Sequence, residues 1–276
     1  MHLSGDLSLL RCILDLMVRA IPTSFFLLGA ALALCSIDSL QQALALFNSG
    51  KYQQSYDLVS QYLREAPNSP TAYKLLGMNE YMLGHPHEAV ASVLHATELA
   101  PNDADALYYL GRLYFSTDKI PAALETFQKT VALDHSNVRA LNYLGQSLEA
   151  VGRRGEAEKA YLKAIEVQKD QPRKSAWPDY NLGVLYLDDG RTADAVAAFR
   201  RALQMNPSFP EAEIKLAAAL SKEQPVPEAF ELFQQALHTD PANAEGHYRL
   251  AVLLTKSGKR EEAQEQFALF EKYRKP

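Results

Sequence analysis

The chain has 276 residues, of which 47% are hydrophobic and 22% charged, and a formal net charge of −5 at pH 7. This is the composition of a globular protein of one large or two ordinary domains, and it excludes a disordered or fibrous chain. A mildly acidic chain lacks the clustered basic surface that a nucleic-acid backbone requires, so nucleic acid is not expected as a partner.

Residues 1–35 differ from all that follows. Arg11 and Arg19 there are balanced by Asp6 and Asp15, so the net charge lies beyond them. Both cysteines, Cys12 and Cys35, also fall in this stretch. Their absence from 36 onward excludes a disulfide or a thiolate metal site in the body of the chain, and says nothing of its redox compartment. The run FFLLGAALALC, Phe25 to Cys35, is uncharged and stands after Arg19. It is too short to cross a bilayer as a helix, which takes roughly 20 residues. A basic residue, a short apolar run and Ala31 and Ala33 at A-x-A spacing form the layout of a secretory signal peptide. A start at Met17 makes this signal compact, with Arg19 as its positive end.

The expected location is therefore secreted or periplasmic, with a membrane-anchored or cytoplasmic chain as the alternatives. Membrane contact is expected only through this segment, if it stays uncleaved or is lipidated. Cys35 invites lipidation, but Leu34 stands where such motifs take Gly, Ala or Ser. A capping helix is a further alternative, against which the segment shows no polar face.

From 36 onward one pattern recurs. A small residue stands at Ala43, Gly77, Gly111, Gly145, Gly183, Ala217 and Ala251, in steps of 34 residues except for one of 38. Twelve residues later comes a second small place, at Ser55, Ala89, Ala123, Ala157, Ala195, Ala229 and Ala263. Four beyond that stand Val59, Val93, Phe127, Tyr161, Phe199, Phe233 and Phe267. Proline closes four units, at Pro67, Pro101, Pro207 and Pro241. Small residues let two helix axes approach closely, and Gly50, Gly84, Gly152, Gly190 and Gly258 free the backbone where a first helix must end. The prolines stop the second helix. No unit buries its apolar stripe alone, so neighbours must stack.

This pattern resembles the tetratricopeptide repeat family, whose unit is a pair of antiparallel helices. The resemblance implies an all-α fold, a right-handed superhelical solenoid of seven helix-turn-helix repeats. It places them at 36–69, 70–103, 104–137, 138–171, 176–209, 210–243 and 244–276. Two departures stand out. After Lys169 the string DQPRKSAWPD adds four residues, read as a longer loop that is either a tolerated insertion or a bend or partner contact. Phe270 takes a place filled in inner units by Ala96, Thr130, Ala164, Ala202 and Ala236, as suits a unit whose outer face caps the stack.

No residues for catalysis emerge, and no enzyme is expected. The sequence holds no G-x-S-x-G, Walker or G-x-G-x-x-G pattern. His85, His87 and Glu88 lie together, but without a cysteine or a helical H-x-x-x-H pair they make a poor metal site, and no metal or cofactor is expected.

In the family, first helices line the concave face. The resemblance thus implies a groove presenting Lys74, Tyr81, Tyr108, Arg112, Phe115, Asn142, Trp177, Tyr180 and Tyr248. Tyr81 and Phe115 end first helices, and both a groove and a core position stay open for them. Tyr108, Tyr180 and Tyr248 share one place in the repeat and are expected to be exposed. The carboxylate clamp of chaperone-binding members is not expected, because Met78, Tyr109 and Tyr143 replace its polar residues beside Lys74. The expected function is a non-catalytic scaffold or adaptor that binds a protein or peptide partner. The alternatives are a membrane-anchored structural subunit of a larger complex and an accessory repeat protein of a transferase system.

Overall fold

The computed structural model describes residues 39–222 and 224–274. The apolar run and both cysteines lie outside the described residues. Within them the fold is all-α, without a strand. A helix over 39–48, α1, is followed by α2 (Tyr52–Glu65), α3 (Pro70–Met82), α4 (Pro86–Leu99), α5 (Ala104–Ser116), α6 (Ile120–Leu133) and α7 (Val138–Ala150). Then come α8 (Arg154–Val167), α9 (Trp177–Asp188), α10 (Thr192–Met205), α11 (Pro210–Leu220), α12 (Pro227–Thr239), α13 (Ala244–Lys256) and α14 (Arg260–Tyr273). Odd-numbered helices are the first helices of seven pairs, even-numbered ones the second. The described residues fall into two compact units divided between Tyr109 and Leu110, so that α5 contributes to both.

Helix starts follow from local chemistry. Four first helices are capped from the residue before them. Ser69 Oγ accepts from Ala72 N at 3.3 Å, Asp103 Oδ1 from Ala106 N at 3.0 Å, Asn137 Oδ1 from Ala140 N at 3.0 Å and Asn243 Oδ1 from Gly246 N at 2.9 Å. Each satisfies an N–H that the helix itself leaves without a partner. In five pairs the turn to the second helix takes a left-handed glycine, for instance Gly84 at φ 88°. In the third pair Asp118 fills that place at φ 57°, a conformation that Asp tolerates better than most side chains.

Packing explains the two small places. In the first pair Ser55 Oγ donates to Ala43 O at 2.8 Å, so the second small place touches the backbone of the first. Asn79 of α3 donates to the same hydroxyl at 2.9 Å, which ties the second pair to the first. In the second unit a Cβ on Gly183 would stand 2.6 Å from the Phe199 ring, and one on Gly111 2.7 Å from Phe127. The aromatic place thus fills the space that a first-helix glycine leaves. Phe127, Tyr161 and Phe199 are wholly buried, and Phe233 is 1% exposed.

The insertion before α9 is structured. The chain continues from α8 into a 3-10 turn, Gln168–Asp170. Gln168 is buried, and its Oε1 accepts from Ser175 N at 2.9 Å across the loop. Gln171 Nε2 donates to Ser136 O at 2.9 Å. In the seventh pair Phe270 lies against Tyr248, with ring centroids 5.3 Å apart, and Tyr273 stacks on His247.

One place, the fourth residue of the first-helix segment, turns inward toward the second helix and is chemically uneven. Tyr73 meets His95 edge-on, buried Asp179 pairs with Arg201 at 2.6 Å, and His247 bonds Gln266 at 2.7 Å. Glu213 fills the same place with its Oε2 buried and without a hydrogen-bond partner. Burial pushes its carboxyl above the ordinary 4.5. The folded state then holds this proton more tightly than the unfolded chain does. The resulting stability is complete below the ordinary carboxylate range and is lost as pH rises through the raised value. Glu213→Gln is expected to leave stability below pH 4.5 nearly unchanged and to raise it at neutral pH. Urea midpoints across that range measure this, and parallel pH profiles for both proteins would contradict it.

Candidate functional site

In the first unit Lys74 is engaged by its own chain. Its Nζ donates to Asp105 at 2.8 Å and to Asp103 at 3.4 Å, so the first helix of one pair is bridged to the start of the next. Burial by itself would lower this ammonium, but the hydrogen bonds and charges of Asp105 and Asp103 raise it overall. Beside it opens a cavity of about 510 Å³ with apolar walls from Leu40, Leu44, Phe47, Leu75, Met78 and Tyr109. Tyr81 is exposed.

Tyr108 corrects the reading from sequence. Expected to be exposed, it is only 3% exposed, with Tyr109 edge-on at 5.4 Å. The broad ring at this place is covered by its neighbours, whereas the side chain of the equivalent Lys74 stays 17% exposed beside Asp103 and Asp105. Truncating Tyr108 therefore removes core.

In the second unit Arg112 and Phe115, both half-buried, converge on Tyr143. The guanidinium lies 5.9 Å from the Tyr143 centroid and the Phe115 ring 5.7 Å from it, while Tyr143 stacks on buried Phe127 at 5.3 Å. Asn142 is 7% exposed and accepts from Asn181 Nδ2 at 2.9 Å. It too departs from the exposed groove position implied by the family, because it holds the fourth and fifth pairs together.

Two expected residues stand open to solvent in this unit. Trp177 and Tyr248 are each 47% exposed. Trp177 rests on Tyr180 and Phe209, and Tyr248 on Phe267 and Phe270. Tyr248 also borders a cavity of about 290 Å³ with Lys222, Arg249 and Lys256. Sequence reasoning missed Phe209 and these lysines. Phe209 precedes Pro210, a helix-entry signal that foretold the helix but not the ring's place beneath Trp177. The structure thus groups Arg112 with Phe115 and Trp177 with Tyr180, and sets Tyr248 apart from both.

His85 and His87 are exposed. Among the described residues no three His, Cys, Asp or Glu side chains are placed to hold a metal ion. No helix among them is long and apolar enough to cross a membrane.

Models of the tetratricopeptide repeat match residues 75–138, 137–208, 180–244 and 223–271. The chain is 31% identical over 156 residues to the type IV pilus assembly protein PilF of Pseudomonas aeruginosa strain PAO1, across 55% of this chain and 60% of that protein. It spans between 13% and 19% of the length of four longer curated relatives. Among solved structures it is similar to Pseudomonas aeruginosa PilF, with a TM-score of 0.66 at 24% identity over 74% of this chain and 90% of that one. It is also similar to PilW, described as a widely conserved type IV pilus biogenesis factor, with a TM-score of 0.65 at 20% identity over 74% and 92%. At these identities the structural likeness speaks for the fold alone.

Proposed function

The chain belongs to the tetratricopeptide repeat family, and on that premise we propose that it is a non-catalytic scaffold that holds a protein or peptide partner on its first helices. The observation that carries this reading is the pair of aromatic residues, Trp177 and Tyr248, each 47% exposed on a first helix of the second unit. Broad rings that keep nearly half their surface in water are anchors of the kind that dominate binding interfaces. On the neighbouring first helices Lys215 pairs with Glu245 at 2.8 Å. The exposed ring area is the main gain for a ligand.

The process we propose is assembly of a cell-envelope structure, of the kind for which the Pseudomonas relative is named. The secretory layout of residues 1–35 supports a chain exported to the envelope, with 36–276 as its repeat domain. Protein recovered from its host should then begin between Leu34 and Leu40. N-terminal sequencing that returns Met1 or Met17 would refute the export.

The binding itself is tested with the partner captured by the full chain. Trp177→Ala and Tyr248→Ala should each weaken it by about thirtyfold, the equivalent of roughly 2 kcal/mol at a hot spot, with little change in melting temperature. Unaltered affinity in both variants would sink the reading. Deleting the gene in its host should abolish an envelope assembly such as surface pili.

A further inference from the structure

The four added residues before α9 fix the position of Trp177, the only tryptophan of the chain. Gln168 clasps the loop through Ser175, and Ser175 Oγ accepts from Trp177 N at 3.4 Å, so the indole enters the helix from an anchored loop. One turn on, the Tyr180 ring meets it at 89°, with centroids 5.5 Å apart. Phe209 underlies both, 4.9 Å from Trp177 and 5.1 Å from Tyr180, and is itself buried. Three rings inclined to one another by 43° to 89° make a corner rich in π density. Such a corner attracts cations through the ring quadrupoles.

Two carboxylates act on this corner, Glu245 with cations of its own and, among the described residues, Glu211 without. Glu211 follows Phe209 by two residues and is exposed. Among the described residues it forms no ion pair, whereas Glu245 is matched by Lys215 at 2.8 Å and Arg249 at 2.7 Å. Burial, followed by the charges of Glu245 and Glu211, pushes the Tyr180 phenol up to about 12. Both carboxylates therefore act on the aromatic corner, and the charge of Glu211 remains for a ligand.

We propose that Trp177, Tyr180 and Phe209, with Glu211, form a receptor for a basic side chain, arginine above all, presented by the peptide partner. The proposal rests on the scaffold reading and adds to it the chemical class that is recognised. Arginine suits the corner better than lysine, because its planar guanidinium stacks on a ring while its N–H groups reach a carboxylate.

The single tryptophan reports on this site directly. The full chain is titrated with the peptide Ac-Gly-Ser-Arg-Ser-Gly-amide and with its citrulline counterpart, which keeps the shape and lacks the charge. The arginine peptide should change the tryptophan emission saturably at millimolar concentrations, and the citrulline peptide should bind at least about fivefold more weakly. Glu211→Gln should weaken the arginine peptide by about fivefold, as loss of an exposed charge pair does, and leave melting unchanged. Equal responses to the two peptides, or no response to arginine, overturn the proposal. The captured partner separates its failure from that of the scaffold reading. If Trp177→Ala weakens that partner while Glu211→Gln does not, the basic-residue receptor falls and the scaffold stands. If neither variant changes the affinity, the receptor falls, and the scaffold falls with it only if Tyr248→Ala is silent as well.

Discussion

Replacing Phe199 by alanine is expected to destabilise the second unit by about 3–5 kcal/mol, the cost of emptying a buried aromatic site. Phe199 has no exposed surface and packs in one cluster with Tyr161, Leu182, Leu185, Ala195 and Leu216, drawn from α8 to α11. The cavity left behind borders α9 and α10 and also the helices before and after them. Because a repeat array is stabilised through its neighbours, the loss should spread to adjoining pairs before distant ones. Hydrogen exchange resolved along the chain checks this, with protection falling in α8 to α11 more than in α14. A loss below about 1 kcal/mol would mean that the site collapses around the missing ring or is not packed as described.

The second large effect concerns the residue that Phe199 covers. Gly183→Ala is expected to cost about 1–3 kcal/mol, as overpacking does. The added methyl would lie 2.6 Å from Cε1 and 2.7 Å from Cδ1 of a ring that is itself enclosed. The sign is what makes this informative. Glycine within a helix is normally worse than alanine by about 1 kcal/mol, so an uncrowded position would gain stability from the change. A double-mutant cycle isolates the cause. In a Phe199→Ala background the same Gly183→Ala should become neutral or favourable, because the ring that it strikes is gone. If Gly183→Ala costs as much without the ring as with it, the crowding lies elsewhere and the pairing of these two places is wrong.

These two variants also show how far the residues alone carry the fold. The recurrence of a small residue, a second small residue and then an aromatic was legible at Gly183, Ala195 and Phe199, and it foretold a helix pair. The glycine that ends a first helix was equally legible in five of the seven pairs; in the third, Asp118 adopts the same left-handed conformation without being glycine, and the sixth has no glycine in its turn. At the candidate site the reading held less well. Lys74, Tyr108, Asn142 and Tyr180 occupy one place in successive first helices. One is in an ion pair, two are buried and one is half-buried against aromatic neighbours.

The period, the helix pairs and most of their turns follow from the residues alone. Those depend on contacts within some 34 residues, and each is encoded by residues whose size or backbone freedom leaves few alternatives. Which first-helix side chains face water is settled by the packing of one pair on the next. That outcome depends on what the neighbouring pair brings to the same spot: Asp105 for Lys74, Asn181 for Asn142, Phe209 for Trp177 and Tyr180. Such partners lie some 30 to 40 residues away, and nothing local in the repeat specifies them. The physical reason is that periodicity fixes a side chain's direction from its own helix, whereas exposure is set by the volume and charge of the groups packed against it.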